Sequence, residues 1–260
     1  MGIKAFIDSQ VRLSRQFDKL LPDRYTIDGN YDYRATLVPK YLKNDLIIYD
    51  VGGGKNPYLD PERKEQLHAT VIGVDVSLHE LNQAPAGSYD EVICADIMTY
   101  RGKRDADIVL CQALLEHVKD VEKAFRSLSG ILKPGGLAIL FGPNRNSLYA
   151  RMNRVLPQSI KSFALHAIFP AASRNQGFPA YYNKCTPADF RKMSEQYNLS
   201  VVEERYYYIS SYFSFFFPLY LVWRLWLLLL IAFRKERAAE TFSMVLQKGN
   251  SAMRIERVQR

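Results

Sequence analysis

Three acidic residues stand at the ends of apolar runs: Asp50 in "LIIYDV", Asp75 in "TVIGVDV" and Asp96 in "YDEVICAD". Just behind the first lie Gly52, Gly53 and Gly54, then Asn56. Glycine lets the main chain pass close to a ligand and take positive φ, and asparagine tolerates the same left-handed region better than most residues. A glycine-rich loop after one apolar run, with a carboxylate about twenty residues on at the end of the next, is the pattern that holds a nucleotide-like cofactor. In it the carboxylate accepts hydrogen bonds from both ribose hydroxyls. The bland alternative for the glycines alone is a mobile turn. No "GKS" or "GKT" is present, which argues against a bound triphosphate.

These carboxylates need parallel strands to bring them to one edge. From Leu46 onward, short β-type runs recur at 46–51, 70–76, 89–96, 106–112 and 136–142, separated by segments of helical length. Runs apolar on both faces and alternating with helices predict a doubly wound parallel sheet covered on both sides. Before them, residues up to about Lys43 are expected to be helical, with Val11, Leu13, Phe17 and Leu20 at roughly helical spacing. After them, "TPADFRKMSEQY" starts a helix, with Thr186 as N-cap, Pro187 at the first position and Asp189 in the first turn. Two further strands, "LSVVEERYYY" and "TFSMVLQKG", close the chain's regular structure.

The strand ends continue into "ICADIM" and "LCQALLEHV", and "LKPGG" precedes the fifth run. From about Asn30 to Gly142 the chain resembles a class I S-adenosylmethionine-dependent methyltransferase of the small-molecule type. The resemblance implies a Rossmann-like seven-stranded sheet whose last two strands are antiparallel, and S-adenosylmethionine as cofactor. It points to Asp50 and Gly52, Gly53 and Gly54 for the methionine part. Asp75 with Val76 would serve the ribose and Asp96 with Ile97 the adenine, while Cys111 and Gln112 would line the sulfonium. The loop departs from the family's usual GxGxG in reading GGGKN, with Asn56 in place of the last glycine.

Methyl transfer to a hydroxyl needs alignment, exclusion of water and a base for the acceptor's proton. His117, after the fourth strand, is the candidate base, although a helix histidine that merely packs or caps is the plain alternative. Arg145 in "FGPNRN" is placed to clamp an acceptor phosphate or carboxylate, or else is an ordinary solvated arginine. No "NPPY" or "DPPY" stretch of the kind used on adenine or glutamine nitrogen is present, which favours an oxygen acceptor.

The domain expected is single over 1–260, with a helical cap at 1–44, an acceptor lid at 144–185 and a hydrophobic insertion at 209–237. In the lid, Arg151, Arg154, Lys161 and Arg174 supply positive charge and Tyr181 and Tyr182 flat faces, which suits a glycan on a phosphate carrier. Similar lids occur in methyltransferases of bacterial surface polysaccharides, a looser resemblance. The insertion, "YFSFFFPLYLVWRLWLLLLIAF", is about long enough to span a bilayer. It falls between two strands expected to pair, so its ends must lie on one side of any membrane. Pro218 and Arg224 predict a broken, shallow or re-entrant helix, with Trp223 and Trp226 at the lipid interface and "RKER" (234–237) at headgroups. A buried core helix or an oligomer contact is the alternative.

The net charge of +8 favours a polyanionic neighbour, and an anionic membrane surface fits the insertion. Nucleic acid ranks lower because no separate RNA-binding module is visible. The three cysteines, Cys94, Cys111 and Cys185, form no CxxC pair, which predicts neither disulfides nor a metal site and fits the cytoplasm. The expected function is O-methylation of a lipid-linked saccharide by a peripheral or monotopic enzyme at the cytoplasmic membrane face. The alternatives are methylation of a quinone or other prenylated ring, and a cofactor-binding scaffold for glycan-assembly enzymes.

Overall fold

The computed structural model describes residues 2–155, 178–209 and 213–250. Seven strands form one sheet in the order β3-β2-β1-β4-β5-β7-β6. They are β1 (Ile47–Val51), β2 (Thr70–Asp75), β3 (Glu91–Cys94), β4 (Ala106–Gln112), β5 (Leu132–Pro143), β6 (Leu199–Tyr207) and β7 (Thr241–Lys248). The first five are mutually parallel, and β7 runs antiparallel to both β5 and β6. The five parallel runs lie where the apolar pattern puts them. β5 alone starts early: "LKPGG" joins it through the pair Ala106↔Leu132, after which the register shifts.

Helices are α1 (Ile3–Asp18), α2 (Gly29–Asp32), α3 (Pro61–Gln66), α4 (Leu78–Leu81), α5 (Val121–Ile131), α6 (Leu148–Val155), α7 (Pro187–Gln196) and α8 (Phe217–Ala238). Thr186 caps α7 as the sequence predicts, accepting the amide of Asp189 at 3.1 Å. The expected N-terminal helix is instead several pieces: α1 ends before Pro22, and α2 runs into a π-helical turn at Tyr33–Leu37. Side chains pack on both faces of the sheet. One core joins β4 and β5 to α5 and α7 through Phe125, Leu128, Phe190 and Phe242; the other joins Tyr33, Leu37 and Val38 to Ile48, Ile108 and Ile139.

Strand directions decide what lies near the site. β6 is parallel to β1–β5, so it ends at their carboxyl edge, where β7 begins; α8, the link between them, therefore starts and finishes at that edge. Asn144, just beyond β5, fastens the far end of α8. Its Nδ2 donates to the Glu236 carbonyl at 2.9 Å and its amide to the Glu240 carbonyl at 2.9 Å.

The insertion differs from its expected form. Pro218 lies in the first turn of α8, where no amide partner is required, so it starts the helix and does not kink it. The helix runs for 22 residues with one non-helical residue, Arg234. Arg224 is wholly buried: its Nε donates to Asp18 at 3.0 Å, one Nη to the Tyr25 carbonyl at 2.5 Å and the other to the Tyr208 carbonyl. A residue expected to be costly in lipid thus ties α8 to α1 and to the end of β6. Trp223 is buried against Tyr220 and Phe213, so only Trp226 of the two tryptophans is exposed.

Candidate active site

The loop after β1 is shaped for close approach. Gly52 and Gly54 take left-handed backbone (φ 80° and 49°). A Cβ on Gly53 would stand 2.6 Å from both the Asp50 carboxylate and the Tyr89 hydroxyl, so only glycine fits there. Asn56 is not left-handed; its amide donates to the Gly53 carbonyl at 2.9 Å and simply closes the turn. This cradle, which side chains would fill, fits a cofactor pressed against main chain.

Asp50 is buried and accepts the Tyr58 amide at 2.7 Å. Burial pushes its carboxyl up to about 6, with the Tyr58 amide and the nearby Arg34 guanidinium holding it lower than burial alone would. The half-buried Asp75 ends β2, one oxygen accepting the Ser77 amide at 2.9 Å and the other directed towards Gly54. Burial raises its pKa as well, against the pull of the Ser77 amide. Asp96 accepts the Met98 amide at 2.8 Å. Val76 is exposed beside Asp75, whereas Ile97 is packed into the core. Cys111 is sealed in the same core, where burial drives its thiol pKa well up, so any part it has beside a sulfonium falls to its backbone.

Gln112, at the end of β4, is held by residues that the strand pattern does not reveal. Its Oε1 accepts from Arg34 at 3.1 Å and its Nε2 donates to Asn30. Arg34 also donates to the Tyr58 carbonyl at 3.0 Å and lies over the Tyr58 ring at 4.9 Å. Hence the π-helical turn at Tyr33–Leu37 clamps the glycine loop to the end of β4. Such turns recur at functional sites, yet "YRATL" carries no local signature of one. Ala113 is left-handed (φ 51°), a strain of about 1–2 kcal/mol for a residue with a Cβ, which turns the chain sharply off β4.

On the acceptor side, His117 Nδ1 lies 3.1 Å from the Pro179 carbonyl. A carbonyl only accepts, so Nδ1 carries the proton of the neutral ring and Nε2 keeps its lone pair. Beneath it, the Glu116 carboxyl is buried with Oε2 unpartnered among the described residues, and burial raises it to about 7. The Glu116 carbonyl accepts the amides of Tyr181 and Tyr182 at 2.7 and 3.1 Å, which fixes the end of the lid to the strand edge. Tyr182 is buried, its hydroxyl accepting from Asn153 at 3.1 Å, and so offers no open ring face; the half-buried Tyr181 lies below Lys119. The Arg145 amide donates to the Cys185 carbonyl at 2.8 Å. Arg151 and Arg154 project from α6, exposed, while Lys161 and Arg174 lie outside the described residues. No metal-binding cluster is found among the described residues.

A seven-stranded sheet with its last strand reversed, carrying this glycine cradle and strand-end carboxylates on one edge, defines an S-adenosylmethionine-dependent methyltransferase. Residues 23–204 match the family described as "Methyltransferase domain", and the chain belongs to it. It is 26% identical over 166 residues to the ubiquinone biosynthesis O-methyltransferase of Cupriavidus pinatubonensis, the match covering 61% of each chain. With the enzyme of the same name from Pseudomonas paraeruginosa it shares 33% over 123 residues, 44% of this chain and 49% of that one. The matches thus span less than two thirds of these relatives. Among solved structures, the S-adenosylmethionine-dependent methyltransferase from Mesorhizobium loti shares the fold at a TM-score of 0.55 and 15% identity, over 85% of this chain and 98% of the other. The cofactor is S-adenosylmethionine, which supplies an electrophilic methyl group when bound.

Proposed function

We propose that this enzyme O-methylates an acceptor carried on an isoprenoid lipid, working at the cytoplasmic face of a membrane. The observation that carries the proposal is the outer face of α8. Leu219, Val222, Trp226, Leu229 and Phe233 recur at helical spacing and are exposed, Phe233 to 78%. Phe6 and Leu13 on α1, with Leu20 just beyond its end, are also exposed, and α1 packs against α8 through Phe17 and Phe217. By length and composition alone α8 could cross a bilayer. Its buried Arg224 and the pairing of β6 with β7 hold it along the domain, so we read it as lying in the interface. Exposed Lys4, Arg12, Arg15 and Lys19 on α1, with Lys235 on α8, supply cations of the sign that anionic headgroups attract.

In this reading His117 Nε2 takes the acceptor's hydroxyl proton as the oxygen is methylated, and Arg145 orients the acceptor. A lipid-linked saccharide is our first acceptor. A prenylated quinone ring is the second, favoured by the likeness to ubiquinone biosynthesis O-methyltransferases. The scaffold without turnover is set aside by the family. The test has two arms. Flotation on vesicles containing an anionic lipid should recover the protein, and Leu229→Glu with Phe233→Glu should leave it at the bottom. Labelled methyl from S-adenosylmethionine should enter organic-extractable lipid from membranes; label only in water-soluble material would overturn the lipid acceptor.

A further inference from the structure

Between α6 and the end of α8 lies a cleft of about 150 Å³, at the carboxyl edge of β5. Arg151 projects into it from α6, Arg234 and Arg237 line it from α8, and the exposed Trp226 stands at its wall. None of the three arginines forms an ion pair among the described residues. Cations at a helix C-terminus are common because they complement the helix dipole, which accounts for Arg234 and Arg237 singly. It does not account for Arg151, which comes from another helix and faces them.

Two carboxylates, Glu236 and Glu240, lie near the cleft. Glu236 is paired with Arg191 at 2.5 Å. Glu240 also lines the cleft but is buried, and burial raises its pKa to about 7 against the pull of Arg224 and of the Leu148 amide. The cleft also has neutral donors in Asn146 and Ser147. Trp226 belongs at once to this cleft and to the exposed apolar line of α8, so a ligand seated among the arginines has an apolar path directly beside it.

We propose that this cleft binds the phosphate or pyrophosphate ester of a lipid, with Arg151, Arg234 and Arg237 as its ligands. The inference deepens the lipid-acceptor reading and favours a phosphate-linked carrier over a neutral quinone. Guanidinium groups suit phosphate oxygens because their planar fork donates two parallel hydrogen bonds.

Binding would be followed by titration calorimetry with farnesyl pyrophosphate, inorganic pyrophosphate and farnesol, using the full chain and the Arg234→Gln, Arg237→Gln double variant. Both arginines are exposed and form no ion pair among the described residues, so the variant should fold; an unchanged melting temperature and S-adenosylmethionine affinity check this. Farnesyl pyrophosphate should bind saturably, more tightly than inorganic pyrophosphate, and about tenfold or more weaker in the variant. Farnesol should not compete. Equal binding of inorganic and farnesyl pyrophosphate, both lost in the variant, would overturn the lipid source in favour of free phosphate. Equal affinity of wild type and variant, or no binding at all, would overturn the site. Flotation fails or succeeds independently: a protein that floats but ignores farnesyl pyrophosphate keeps the membrane reading and loses this one, and the converse holds too.

Discussion

At the β1–β2 end of the sheet each carboxylate is bonded to its own loop: Asp50 takes the Tyr58 amide, Asp75 the Ser77 amide and Asp96 the Met98 amide. At the β5–β7 end the internal polar groups are used to fasten a helix. Arg224 reaches back to Asp18, Tyr25 and Tyr208, while Arg151, Arg234 and Arg237 form no ion pair among the described residues and an apolar line is exposed. The first region is complete in itself and needs only its cofactor. The second is organised inside and exposes cations and apolar side chains outside, the surface on which the membrane proposal rests.

The difference can be broken from either side. Arg224→Ala should have the largest effect, about 3–5 kcal/mol of lost stability, because it strands a buried Asp18 and two carbonyls. Chemical denaturation would show it; a loss below about 1 kcal/mol would mean that α8 is not fastened by this residue. Gly53→Val should weaken S-adenosylmethionine binding on the order of 100-fold, or about 2.7 kcal/mol, through the 2.6 Å collisions with Asp50 and Tyr89, while flotation persists. Loss of both would join the two regions that are here held separate.

Two smaller effects sharpen the contrast. His117→Gln should lower kcat roughly 100-fold with S-adenosylmethionine affinity unchanged in calorimetry, as expected of a base on the acceptor side. A parallel loss of cofactor affinity would move His117 to the cofactor side. Glu240→Gln tests the acceptor flank through pH. The folded carboxyl is raised to about 7 from the ordinary 4.5 of an unfolded glutamate, so wild-type folding is favoured below pH 4.5 and loses that advantage as pH rises through 7. The variant lacks this dependence. It should be more stable than wild type by about 1–3 kcal/mol at pH 8, with the gap closing by pH 4.5, in parallel thermal melts.

The cofactor side was legible because its determinants are local: a parallel strand delivers its last residue to the carboxyl edge, so Asp50, Asp75 and Asp96 could be placed from runs of apolar residues. Arg34 and Asn30 were not, since they act on Gln112 and Tyr58 through contacts tens of residues apart in sequence. The insertion was placed correctly between the last two strands, and Trp226 is exposed as expected, but Pro218, Arg224 and Trp223 were misread. Hydropathy assigns Arg224 a cost in lipid without seeing Asp18, and it assigns Trp223 to an interface without seeing Tyr220. A residue's neighbours across the fold decide which face of such a helix is outward, and a linear pattern holds only their spacing.

Asn144 joins the two regions. Bonded to the carbonyls of Glu236 and Glu240 directly after β5, it leaves little freedom between the strand that ends at the active edge and the helix that we place in the bilayer surface. Under the proposed membrane reading, an enzyme built this way would work as a ruler: the fold would set the height of the methyl donor above the lipid plane, and acceptors would be sorted by how far their hydroxyl stands from their membrane anchor.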